Sequence, residues 1–126
     1  MSDRVRNYRD LIVWQRAMDL VEEIYRATKS WPQSEVYGLI SQTQRAAVSV
    51  PANIAEGQGR GGDREFCRHL AIAHGSLREL ETHIKIGERL GYLPAENASL
   101  LLERANDVGR LIQGLLRKLR SSIETS

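Results

Sequence analysis

Few side chains in this sequence could do chemistry, and their spacing decides what that chemistry would be. His69, His74 and His83 stand five and nine residues apart, whereas two metal ligands on one helix face need a separation of three or four. The Glu-x-x-His pattern of di-iron bundles does not occur. Glu65 with His69, and Glu79 with His83, are four apart and read as solvated surface pairs. Cys67 is the single cysteine, so no disulfide forms within the chain, and no histidine stands where it would make Cys67 a nucleophile. No Ser-His-Asp arrangement can be built. The expectation is a protein that is not an enzyme and uses neither metal nor cofactor.

Gly57, Gly59 and Gly62 satisfy G-x-G-x-x-G. A dinucleotide site needs a strand before that motif, and the pattern before Gly57 is helical. Two readings remain. The glycines form a flexible turn, or the amides opening the next helix hold a phosphate beside Arg60 and Arg64. Asp63, as N-cap, would compete for the same amides.

Arginine outnumbers lysine fifteen to three. Guanidinium forks suit phosphates and protein interfaces alike. Arg64, Arg68, Arg78, Lys85 and Arg89 fall on one heptad track, with Ala71, Gly75 and Thr82 between them. With Arg60, this stripe is the candidate binding face for RNA or DNA. The other reading is a solvated helix surface on which Glu81 pairs with Lys85. Aromatics are only 6% of residues, so binding would be electrostatic and independent of base sequence. Arg4, Arg6 and Arg9 add cations near the start. Arg117, Lys118 and Arg120 add them near the end, where they also suit a helix C-terminus. The net charge of +2 is too small to steer the whole molecule toward a polyanion.

Helices must position these residues. Four long segments, at about 10–29, 34–57, 63–90 and 94–121, are separated by Trp31-Pro32, the glycine cluster and Gly91. Ser34 is the expected N-cap of the second and Pro94 the first residue of the fourth. Each carries residues of its inward row at alternating steps of three and four: Leu11, Trp14, Met18, Val21, Tyr25 and Thr28; Val36, Ile40, Thr43, Ala47, Val50 and Ile54; Phe66, Leu70, Ala73, Leu77, Leu80, Ile84 and Gly87; Leu101, Ala105, Val108, Ile112, Leu115 and Leu119. A sustained seven-residue repeat with short connections predicts one all-α domain over residues 1–126. Its architecture is an antiparallel, up-down-up-down, left-handed four-helix bundle. Pro51 interrupts the second pattern and predicts a kink near Ala47 to Pro51, or a break into two helices. Gly75, Gly87, Gly109 and Gly114 lie inside helical patterns and predict close approach of a neighbouring helix.

Some apolar residues exceed what one seam needs. Val13, Ala17, Leu20 and Ile24 form a second row beside the first, and Ile72 and Ile86 lie off the seam of the third segment. They widen the core, or they mark self-association. No stretch is long and apolar enough for a membrane span, no secretory signal is visible, and the lone cysteine suits a cytoplasmic location.

The run Tyr37-Gly38-Leu39-Ile40-Ser41-Gln42-Thr43-Gln44-Arg45-Ala46-Ala47-Val48-Ser49-Val50-Pro51-Ala52-Asn53-Ile54-Ala55-Glu56-Gly57 resembles the four-helix-bundle family encoded in intervening sequences of bacterial 23S ribosomal RNA genes. So do Asp10 to Ala17, Gly75 to Thr82, and Gly91-Tyr92-Leu93, and the likeness runs from about Tyr8 to Leu119. The resemblance implies a bundle that assembles into a ring, typically a homopentamer, with no established enzymatic or ribosomal role. A related branch, the accessory variability determinant of diversity-generating retroelements, is a basic pentameric barrel that binds nucleic acid and a reverse transcriptase. Gln42, Arg45, Ser49, Pro51, Asn53, Glu56, Gly57, Gly75, Ser76 and Glu79 are the matching residues to which the resemblance gives structural or interface roles. Arg45, Ser49, Asn53, Glu56 and Arg60 also recur at three- and four-residue steps, which predicts a polar ladder satisfied across helices or across subunits.

Overall fold

The computed structural model describes residues 7–125 and contains four α-helices: α1 (Ile12–Thr28), α2 (Leu39–Gly59), α3 (Asp63–Arg89) and α4 (Ala95–Thr125). No strand occurs among the described residues. Single 3-10 turns precede α1 (Tyr8–Asp10) and α2 (Gln33–Glu35). The helices pack as a closed ring of neighbours, in which α1 and α3 each touch both α2 and α4. Paired residues rise in number on one helix as they fall on the next. Between α2 and α3 these pairs are Ser49 with Ser76, Asn53 with His69, and Gly57 with Phe66. Between α3 and α4 they are His74 with Gln113 and Leu77 with Gly109.

The expected seams of α2 and α3 are the buried ones, including Val50, Ile54, Leu70, Leu80 and Ile84. Each large apolar side chain so buried contributes about 1.5–3 kcal/mol. On α1 the row nominated first is not the core row. Val13, Ala17, Leu20 and Ile24 are buried, while Met18 and Tyr25 are 36% and 42% exposed. The two rows are adjacent on a wide apolar arc, and only the positions of α2 and α4 choose between them. On α4, Leu116 replaces Leu115 in the core, because a 3.6-residue turn drifts away from a strict repeat of seven.

The helix ends differ from expectation in instructive ways. Ser34 falls in the 3-10 turn, and α2 starts at Leu39, whose N–H donates to Glu35 Oε1 at 3.2 Å. The glutamate side chain therefore caps the helix from four residues upstream. At α3 the N-cap is Gly62, and Asp63 is the first helical residue, where its charge favours the helix start without capping it. Pro94 precedes α4, and its carbonyl accepts from Ala98 N–H at 3.0 Å. α2 continues through Pro51 as one helix, so the two-helix alternative does not hold.

One end of the molecule is locked by a corner of aromatic residues. Gly91 has φ +81°, and it closes α3 through Tyr92 N–H to Gly87 carbonyl (2.9 Å) and Gly91 N–H to Glu88 carbonyl (3.0 Å). The buried Trp31 ring packs against Gly87, where a Cβ would stand 2.8 Å from it, and tilts against Tyr92 at 5.8 Å between centroids. The Tyr92 hydroxyl donates to Glu35 Oε2 at 2.8 Å. One glutamate thus caps α2 and ties the α1–α2 loop to the α3–α4 loop. The neighbour that crowds Gly87 is the loop residue Trp31 and not a helix, whereas at Gly109 the expected helix approach is met, with Leu77 of α3 at 3.3 Å from where a Cβ would stand. Gly75 has nothing within 4 Å, and Gly114 meets only Arg117 of its own helix.

Candidate nucleic-acid interface

Every position of the α3 stripe is solvent-exposed: Arg64, Arg68, Ala71, Gly75, Arg78, Thr82, Lys85 and Arg89. At about 100° per residue they turn away from the buried seam of the same helix. Their charges are unequally available. Arg68 contacts Glu65 at 3.3 Å, and Arg78 contacts Glu81 at 3.7 Å, so Glu81 is used by Arg78 and not by Lys85. Arg64, Lys85 and Arg89 have no ion-pair partner among the described residues. Arg60 lies off the stripe, at the C-cap of α2, where it donates to Glu56 at 2.6 Å. That bond holds the Glu56 carboxyl below its usual range and pushes Arg60 up. Arg9 stacks over the Tyr8 ring at 5.3 Å, and Arg4 and Arg6 lie outside the described residues. Arg117, Lys118 and Arg120 do not complement a helix end, because α4 runs on to Thr125.

Of the predicted ladder, Ser49 and Asn53 bond across to α3, whereas Glu56 and Arg60 pair with each other along α2 and the Arg45 side chain has no hydrogen bond or ion pair among the described residues. Ser49 and Ser76 share a hydrogen bond of 2.8 Å, and Asn53 Nδ2 donates to the carbonyl (2.9 Å) and hydroxyl (3.1 Å) of Ser49. Asn53 Oδ1 accepts from His69 Nδ1 at 3.2 Å, and Arg68 Nη2 stands 3.3 Å from His69 Nε2. The same Nε2 stands 3.9 Å from Glu65 Oε1. His69 is 5% exposed and His83 7%, so the reading of both as solvated surface histidines is wrong. Gly57 makes this possible: a Cβ there would stand 2.5 Å from His69 Cβ. Gln42, Arg45, Glu79 and Gly75 remain exposed on the outer side of the same helix pair, with Glu79 Oε2 at 3.8 Å from His83 Nε2. Pro51 is buried.

A groove that sequence reasoning does not reach lies between α3 and α4. Its floor is Leu77 and Gly109, and its walls are polar tracks, His74, Arg78 and Glu81 on α3 facing Asn106, Arg110, Gln113 and Arg117 on α4. The 4-3-4 spacing on α4 was the available signal, a polar counterpart of the core seam. In the glycine run, Gly61 at φ +81° makes the turn and Gly59, Gly61 and Gly62 are exposed, while Gly57 is committed to packing. Among the described residues no group of three or more His, Cys, Asp or Glu is placed to hold a metal ion, and no helix is long and apolar enough to cross a membrane.

Among the described residues, four helices in a closed ring, without strands, define an all-α protein of the four-helix type. The model of the 23S rRNA-intervening sequence protein family matches residues 9–114, and the chain belongs to that family. A crystal structure from Bacteroides thetaiotaomicron VPI-5482, of a protein with unknown function from the S23 ribosomal protein family, superposes with a TM-score of 0.75. It is 18% identical and covers 83% of this chain and 98% of its own, a likeness of fold. No curated protein matches the chain.

Proposed function

We propose that this chain is a non-enzymatic, cytoplasmic, self-assembling protein that binds RNA or DNA without sequence preference through the exposed basic face of α3. Its architecture in this reading is the up-down-up-down, left-handed bundle, bent where Pro51 leaves the Ala47 carbonyl without its helical donor. The opposed numbering of the cross-helix pairs supports that arrangement. The observation that carries the binding reading is the exposed track from Arg64 to Arg89, in which Arg64, Lys85 and Arg89 are not neutralised by a carboxylate among the described residues. Fixed cations along a rigid helix attract a phosphate backbone and release its counterions.

The test is a salt titration of binding to labelled single-stranded RNA and DNA. Combined Arg64→Ala, Lys85→Ala and Arg89→Ala weakens binding and flattens the plot of log K against log salt by about 2, at roughly 0.7 per lost contact. A wild-type protein that binds neither polymer at low salt overturns the proposal.

A second reading, an assembly module whose partner is protein, draws on the exposed Val48, Ile72 and Ile86. Self-assembly as a ring, five-membered by resemblance to the family, uses such a surface. It is compatible with the first reading unless nucleic-acid binding is absent.

A further inference from the structure

The α3–α4 groove has a volume of about 380 Å³ and is open along its length to solvent. Three guanidiniums border it, those of Arg78, Arg110 and Arg117, against a single bordering carboxylate, Glu81. Arg110 also pairs with Asp107, one turn away on α4. Exposed pairs of this kind are worth little and exchange readily for a phosphate, which the guanidinium fork fits in two bonds. Arg110 and Arg117 are one heptad apart, about 10 Å along the helix axis, so they reach different phosphates of one strand. Between them Gln113 Nε2 is 3.1 Å from His74 Nε2, an arrangement that sets hydrogen-bonding groups beside the cations. Gly109 gives the groove its depth, since its missing side chain admits Leu77 to the floor. No Phe, Tyr or Trp lines it, and His74 is its one ring.

We infer that this groove is the seat of the polynucleotide backbone, with Arg110 and Arg117 of α4 as phosphate ligands and Arg78 joining the groove to the α3 stripe. The inference rests on the nucleic-acid reading above and moves its centre from one helix to the seam between two. It also removes Arg60 and Arg68 from the interface, because neither borders the groove.

The test compares Arg110→Gln/Arg117→Gln with Arg60→Gln/Arg68→Gln in the full chain, using labelled oligouridylate and oligothymidylate. All four side chains are exposed, and circular dichroism verifies that both variants stay helical. The groove variant is expected to lose about 1.4 from the salt slope, and the other pair to keep the wild-type slope. Competition by inorganic phosphate at equal ionic strength is expected to leave the polymer bound. A wild-type slope in the groove variant overturns the inference, while loss of binding in the Arg64, Lys85 and Arg89 variant leaves the broader reading standing. Displacement of the oligomer by inorganic phosphate also overturns it, since that assigns the groove to a lone anion. Wild-type protein that binds neither oligomer ends both.

Discussion

Two glycines in this protein look alike in sequence and have opposite consequences. At Gly57 an added methyl group meets His69 Cβ at 2.5 Å, between two helix backbones that cannot both yield. Gly57→Ala therefore costs about 1–3 kcal/mol despite its better helix propensity. At Gly75 nothing stands within 4 Å, and Gly75→Ala adds roughly 0.5–1 kcal/mol of stability. Urea denaturation of both variants checks the pair, and equal shifts would refute the packing role of Gly57. Tyr92 supplies a pH signature at the same scale. Its hydroxyl donates to the Glu35 carboxylate, which holds the phenol above its ordinary range. The phenol ionises more easily in the unfolded chain. Its contribution is thus complete below about pH 10 and is lost as pH rises through the folded value. Denaturation midpoints should fall more steeply with alkaline pH in the wild type than in Tyr92→Phe, and parallel curves would exclude the contact.

At the scale of elements, the α2–α3 pair is where polar chemistry has been made structural. Asn53 is the hinge of the ladder, since it bonds Ser49 on its own helix and His69 on the next. Asn53→Ala leaves the buried His69 Nδ1 without a partner and costs about 1–3 kcal/mol, measurable as a shift in the urea midpoint. Asn53→Asp, which keeps an acceptor at the same place, should recover part of the loss. The α3–α4 pair differs. Its seam is open to solvent and lined by Arg78, Arg110 and Arg117, where the polar groups between α2 and α3 bond to one another.

For the whole molecule, exposed Val48, Ile72 and Ile86 leave apolar surface beside a polar ladder that is already satisfied within one chain. In the assembly proposed above, self-association covers it. Sedimentation at micromolar concentration is expected to give a mass well above the 14.2 kDa of one chain. Ile72→Lys with Ile86→Lys should shift the protein toward monomer without lowering helicity, since neither side chain is in the core. A wild-type monomer would refute assembly. A persistent oligomer in the double variant would place the interface elsewhere.

Helix number, approximate helix limits and the core rows of α2 and α3 follow from composition and periodicity, because an apolar stripe must be buried whatever covers it. The family is legible too, in the run from Tyr37 to Gly57 and its companions. The tertiary structure alone decided which of two adjacent rows on α1 faces inward, since both are equally apolar and only the neighbours' positions distinguish them. It alone turned His69 from a surface residue into a buried one, because the space for its ring comes from a glycine twelve residues earlier on another helix. The groove between α3 and α4 belongs with these, for Arg78 and Arg110 are thirty-two residues apart in the chain and become neighbours only when two helices lie side by side.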